Sequence, residues 1–229
     1  MFKSKSEETR EKILDAALAL FREKGFHEAT MRQIAEQAGV ATGLAYHYFR
    51  SKDDMVMAFY DRAKEDLLPR LEEVHARHRK LPERLRALVQ AKFDYFTPNR
   101  RFLGALMSHA ADPQNPLSPF SDETRHIREA DFEQLSRALT ETKTKVPRDL
   151  EPYLPRILWI YQMGLILFWI YDHSEGQQRT QALVDKSVRI VGLLVRACSL
   201  PLMRPARKLV IELVTTISPP STTGLVAAE

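Results

Sequence analysis

Proline placement limits what this chain can fold into more than any other feature. Before the last dozen residues, prolines fall at 69, 82, 98, 113, 116, 119, 147, 152, 155, 201 and 205, and none falls between residues 10 and 68. A proline lacks a backbone donor and clashes with the preceding turn of a helix, so it punctuates helices rather than filling them. Between these marks apolar residues recur three and four apart, the spacing of one helix face, with no sustained alternation of the kind a half-buried strand shows. No Asn-Gly or Asp-Gly pair offers a tight hairpin turn. The pattern predicts an all-α chain, with helices near 8–24, 31–38, 42–49, 51–68, 82–96, 99–110, 122–143, 153–172, 177–199 and 204–217. Pro69 should kink or end the fourth of these. The stretch 112–121, with three prolines, reads as a loop, and 218–229 as a disordered tail.

Composition adds exclusions rather than a function. A net charge of +4 over 229 residues permits nucleic-acid binding without demanding it. The single cysteine, Cys198, allows no internal disulfide and fits a reducing cytoplasm. The polar first ten residues hold no apolar segment of the secretory kind. The most apolar run, Ile157 to Tyr171, falls short of the roughly 20 residues a bilayer requires; a buried helix is expected there, and no membrane partner.

The N-terminal segment is the most informative. Ile13, Ala16, Ala17, Leu20 and Phe21 form one buried stripe. Gly25 can end that helix in the left-handed conformation, with Phe26 folding back on its last turn. Thr30-Met31-Arg32-Gln33 is a capping box, and Ser51-Lys52-Asp53-Asp54 opens a later helix in the same way. Between them lies a helix of barely two turns, a turn containing Gly39, and another short helix: the helix-turn-helix plan. Tyr46, His47 and Tyr48 crowd onto so few turns that they cannot all be core.

The run TMRQIAEQAGVATGLAYHYFRSK, residues 30–52, resembles the DNA-binding segment of the tetracycline-repressor (TetR) family. The I-A-x-x-A-G-V core, the glycine, the Tyr-x-x-Phe and the Ser-Lys all fall at family spacing. The likeness covers about residues 8–60; the remainder matches in length and helical character only. It implies residues 1–52 as a three-helix helix-turn-helix DNA-binding domain and 53–217 as a larger helical ligand-binding and dimerisation domain, with the tail at 218–229. By that resemblance Thr30, Tyr46 and Lys52 would contact phosphates. Arg32, Thr42, Gly43, Leu44 and His47 would lie in or beside the major groove, with Tyr48 at its edge. Ala41 departs from the serine that commonly caps the second short helix, and Leu44 from a common threonine; an apolar group there suits a thymine methyl.

A helix-turn-helix reads few bases, so a two-fold dimer is expected. The helices 153–171 and 177–199 are its best sources, through Trp169, Leu183, Val184, Val188, Val191 and Val195, as a four-helix bundle that the resemblance also implies. A ligand pocket, which the family places beneath the DNA-binding part, would draw on Phe93, Phe96, Met107 and Trp159, with His109, Gln162 and Lys92 as polar anchors. Such a lining suits a small apolar or aromatic effector.

The remaining chemistry is thin. His75 and His78 stand one turn apart, but their basic surroundings favour a solvated face over a metal site. The Asp172-His173 pair fits a helix end, where a histidine meets the dipole, better than acid–base catalysis. Cys198 reads as a small apolar residue. No cofactor, metal or catalytic motif is expected. The reading is a transcriptional repressor released from a near-palindromic operator by its effector. A helical small-molecule-binding protein or enzyme without DNA function, and a constitutive DNA-binding scaffold without a ligand, are the alternatives.

Overall fold

The computed structural model describes residues 4–107 and 112–217, and every regular element within them is helical. The α-helices there are α1 Lys5–Glu23, α2 Met31–Gln37, α3 Thr42–Tyr48, α4 Lys52–Arg77, α5 Leu81–Phe96, α6 Arg100–Met107, α7 Arg125–Thr140, α8 Leu154–Tyr171, α9 Gln178–Cys198 and α10 Arg204–Ile217. Short 3₁₀ turns at Thr97–Asn99, Glu175–Gln177 and Pro201–Met203 lead into α6, α9 and α10. The expected tail at 218–229 lies outside the described residues.

Local signals set the ends of the first helices. α1 begins earlier than its apolar stripe suggests, because Ser4 and Glu7 form a reciprocal capping box. It stops where Gly25 takes φ +95°, a backbone that side chains disfavour. Phe26 then turns its ring edge-on to Phe21 at 5.2 Å. One continuous apolar core runs from Ile13 in α1 to Val195 in α9, so the first three helices share it with the rest.

α4 does not end at Pro69, one of the two outcomes expected there. The helix continues through that residue to Arg77. Leu67, Leu71 and Val74 are buried on either side of the proline, holding the helical path, while Pro69 itself is exposed. Water can therefore serve the carbonyl whose partner the proline removes.

α4 runs away from the first three helices, and α5 returns alongside it to meet α6. The far turn is tied by Arg84, which is fully buried. Its guanidinium donates to the carbonyls of His78 at 2.7 Å, Arg137 at 3.1 Å and His75 at 3.1 Å. His75 is not on a solvated face: α7 packs over α4 there, leaving it 2% exposed, with Nε2 3.0 Å from Gln134 Oε1. Burial lowers its pKa, favouring the neutral ring.

α8 is long and apolar enough to cross a membrane by length and composition. Here it packs against α5, α6, α7 and α9. It is not covered all round: Ile160, Leu167, Phe168 and Tyr171 form an exposed stripe. Asp172 follows as its cap. That carboxylate accepts from Ser174 Oγ at 2.6 Å and from the Thr180 amide and hydroxyl at 2.8 and 2.6 Å, bonds that hold its pKa well below the usual range. His173 is exposed, and Cys198 is half-buried.

Candidate functional site

Two regions carry chemistry: the surface of α2 and α3, and a cavity among α4 to α8. On the first, Thr30 caps α2, accepting from the Gln33 amide at 3.3 Å while its own amide donates to Gln33 Oε1 at 3.1 Å. Gly39 makes the following turn with φ +63°. Val40 N–H then bonds the Ala35 carbonyl at 3.0 Å, fixing the angle at which α3 departs.

α3 buries one of its seven residues, Ala45. Thr42, Gly43, Leu44, Tyr46 and His47 are exposed, as are Thr30 and Arg32 beside them. Leu44 is 39% exposed and Tyr46 50%. A Cβ built on Gly43 would meet nothing within 4 Å, so a partner's backbone can approach there. Ala41 supplies no side-chain cap, and no side chain caps α3 in its place. Two expected contact residues differ from the rest. Tyr48 is half-buried, its hydroxyl 3.1 Å from Ser6 Oγ. Lys52 folds back: its ammonium donates to the carbonyls of Phe26 at 2.6 Å and His27 at 3.1 Å and lies 4.8 Å from the Phe26 ring centre. Burial lowers its pKa. In this structure the Lys52 ammonium ties the α1–α2 turn instead of facing outward, because carbonyls of that turn converge on it.

An aromatic joint connects α1 and the α1–α2 turn to the helices that wall the cavity. Phe102 of α6 stacks on Phe21 at 5.1 Å and lies 6.0 Å from both Phe26 and Phe59. The chain neighbours of Phe59 and Phe102, Tyr60 and Leu103, line the cavity. Each of α4 and α6 thus presents one residue to the joint and the next to the cavity wall.

The cavity has a volume of about 160 Å³ and an almost wholly apolar wall. Phe96, Met107 and Trp159 line it, as do Met163 and Ile166. The charged groups on its lining are Lys64, Lys92, Arg128 and Asp131, and Lys92 Nζ donates to Asp131 Oδ1 at 2.6 Å. Gln162, expected as an anchor, does not line the cavity; its Nε2 donates to Asp131 Oδ2 at 3.3 Å. Both Asp131 oxygens are engaged, whereas an ammonium has three donors. Phe93 does not line the cavity; it is core, stacked on Trp169 at 5.0 Å. His109 lies outside the described residues. The contributions of α4 and α7, Leu67, Leu71, Ile127 and Asp131 among them, were missed by sequence reasoning, since their spacing is that of any packed helix face.

The residues expected at a dimer contact are largely used within the chain. Trp169, Val184, Val188 and Val195 are buried, the valines because α9 turns that face to α5 and α8. Trp169 also donates through Nε1 to Gln177 at 2.8 Å. Leu183 and Val191 are half-buried. The apolar residues left exposed on these helices are Ile160, Leu167, Phe168 and Tyr171 of α8, with Ile190, Leu193 and Leu194 of α9. No group of three or more potential metal-binding side chains occurs among the described residues.

Comparison with known proteins fits this geometry. Residues 13–59 match the family "Bacterial regulatory proteins, tetR family", and residues 84–210 match "Tetracyclin repressor-like, C-terminal domain". The HTH-type transcriptional regulator BetI of Escherichia coli is 38% identical over 91 residues, 37% of this chain and 45% of that protein. The chain thus aligns with less than half the length of the curated relatives first matched. The fatty acid degradation regulator FadR of Bacillus halodurans superposes with a TM-score of 0.64 at 20% identity, covering 84% of this chain and 97% of that one. The transcriptional regulator FadR of Bacillus subtilis, solved with stearoyl-CoA, does so at 0.59 and 21% identity, covering 81% and 97%. With both of its parts matched, and the second match alone spanning more than half of its length, the chain belongs to the TetR family of regulatory proteins.

Proposed function

We propose that this chain is a cytoplasmic transcriptional repressor that binds a near-palindromic DNA operator as a homodimer and leaves it when a small apolar molecule enters the cavity. The observation that carries the reading is α3, a helix with a single buried residue whose exposed face combines hydroxyl, imidazole and apolar groups. Such a helix adds little to its own core and has the inventory that reads base edges and phosphates. Residues 1–52 form the DNA-reading unit and 53–217 the unit that pairs and responds. Its action is binding rather than turnover.

Thr30 and Tyr46 offer hydroxyls to phosphates; Arg32, Thr42, Leu44 and His47 face the groove, and Gly43 allows close approach. Tyr48 and Lys52 support that face from behind. The cavity favours an elongated apolar molecule with one acceptor group for the Lys92 ammonium. A relative solved with stearoyl-CoA supports an acyl chain as such a molecule. Occupancy acts through Tyr60 and Leu103 on the Phe59–Phe102–Phe21 joint, favouring a state whose two α3 helices no longer match successive major grooves.

Selection from random duplexes should yield a two-fold-symmetric sequence whose binding weakens steeply with salt. Tyr46→Ala should lose that binding without loss of thermal stability, and a saturated long-chain acyl-CoA should release the wild-type protein. Selection without symmetry, or affinity indifferent to Tyr46, would refute the reading.

A further inference from the structure

A second concavity lies at the far end of the molecule from α3. It is a groove of about 740 Å³ walled by Lys80, Lys143, Lys145, Arg189 and Arg196, with an apolar floor that includes Pro82 and Leu193. α4 separates it from the DNA-reading face, and its 26 residues span about 39 Å at 1.5 Å per residue. Operator DNA held by α3 is therefore out of its reach.

The groove is built on fixed backbone. The segment carrying Lys143 and Lys145 is held on one side to the start of α5, where Lys143 N–H donates to the Arg79 carbonyl at 2.9 Å and Leu81 N–H to Thr144 Oγ1 at 3.3 Å. On the other side Ser199 Oγ donates to the Lys145 carbonyl at 2.9 Å, joining the end of α9. The floor is equally close: a Cβ on Gly192 would fall 2.4 Å from Pro82 Cγ, so α9 and α5 cross at glycine distance. Asp185, which pairs with Arg86 of α5, and Gly192 place Arg189 and Arg196 on the α5 side of α9. The exposed apolar stripe of α8 is on another side.

The charges in this groove are unbalanced. Lys80 lies 3.3 Å from Glu83. Among the described residues no ion pair engages Lys143, Lys145, Arg189 or Arg196. Like charges gathered over low-dielectric walls raise a local positive potential that an anion relieves. Guanidinium forks and ammonium groups together suit phosphate oxygens. The start of α5 adds the positive end of a helix dipole.

We propose that this groove binds a small polyanion, a molecule with two or more phosphate groups joined to a compact apolar body that rests on Pro82 and Leu193. It is a site separate from the effector cavity and from the operator face.

Calorimetric titration of the full chain with inorganic pyrophosphate and with tripolyphosphate tests this, with sulfate at matched ionic strength as the comparison. Pyrophosphate should bind about tenfold or more tighter than sulfate, and the Lys143→Glu/Arg196→Glu double variant should lose about that factor. Lys186→Glu, an exposed change on α9 outside the groove, should leave pyrophosphate binding intact, and operator affinity should be unchanged in all variants. If the double variant melts early, Lys143→Gln/Arg196→Gln replaces it as the decisive reading. Equal affinity for sulfate and pyrophosphate overturns the proposal. So does pyrophosphate binding indifferent to these substitutions, or a variant that loses only non-specific duplex DNA.

Discussion

At the scale of single residues, the helix-turn-helix is held by caps and one glycine, and most of it was readable in advance. Thr30, Gly25 and Gly39 do locally what their chemistry requires, through a hydroxyl acceptor and two positive-φ turns. Lys52 was not readable, because its position in a motif does not say which way a long flexible side chain folds, and two carbonyls of the α1–α2 turn captured it. Ala41 is the residue where the sequence departs from good local chemistry. It sits at φ −65° and ψ 142°, the backbone of a capping residue, with no oxygen to offer. Ala41→Ser should therefore stabilise the protein by about 1 kcal/mol, the usual worth of such a cap, read as a rise in the urea midpoint without change in slope. No rise would mean that packing of Ala45 and Phe49 already fixes α3 completely.

At the scale of elements, helix number and approximate bounds followed from proline spacing and apolar periodicity, but the side each helix turns to its neighbours did not. Pro69 shows why: tertiary burial of Leu67, Leu71 and Val74 outweighs one lost backbone bond when the orphaned carbonyl faces water. The cavity shows it again, since Leu67 and Asp131 belong to helix faces that read as ordinary until α4 and α7 are placed together. The α5–α9 crossing is the tightest such placement. Gly192→Ala would set a methyl 2.4 Å from Pro82 Cγ, an overpacking that should cost about 1–3 kcal/mol. Pro82→Ala in the same chain should recover much of that loss, because the clashing ring atoms are gone. Thermal or urea unfolding of the four proteins measures the coupling; an additive result would mean that the two helices part without strain.

At the scale of the whole molecule, the proposed homodimer would depend on how far apart it holds two copies of α3, and that on a surface the periodicity alone could not orient. α8 and α9 are apolar on more than one side, and a hydrophobic stripe carries no mark of whether its partner is the same chain or another. In this structure the valine face of α9 packs inward, and the apolar stripe left exposed is Ile160, Leu167 and Phe168 on α8 with Ile190 and Leu194 on α9; we propose that stripe for the second copy. Gly164 lies within the α8 stripe, exposed, with nothing within 4 Å of its missing Cβ. A facing helix can come close there. The Phe168→Arg/Leu194→Arg double variant puts two cations where a two-fold contact would bury them at a desolvation cost; the Asp172 carboxylate, one turn beyond Phe168, is already engaged by Ser174 and Thr180. Because Phe168 and Leu194 are 42% and 58% exposed within the chain, the monomer's own melting temperature should change little. Sedimentation should instead show half the wild-type mass, and operator affinity should fall by about 100-fold or more as two tethered half-site contacts become one. A variant that stays dimeric would place the contact elsewhere, with the exposed leucines of α10, Leu209 and Leu213, the next surface to substitute. A variant that becomes monomeric yet keeps full operator affinity would refute the two-half-site geometry itself.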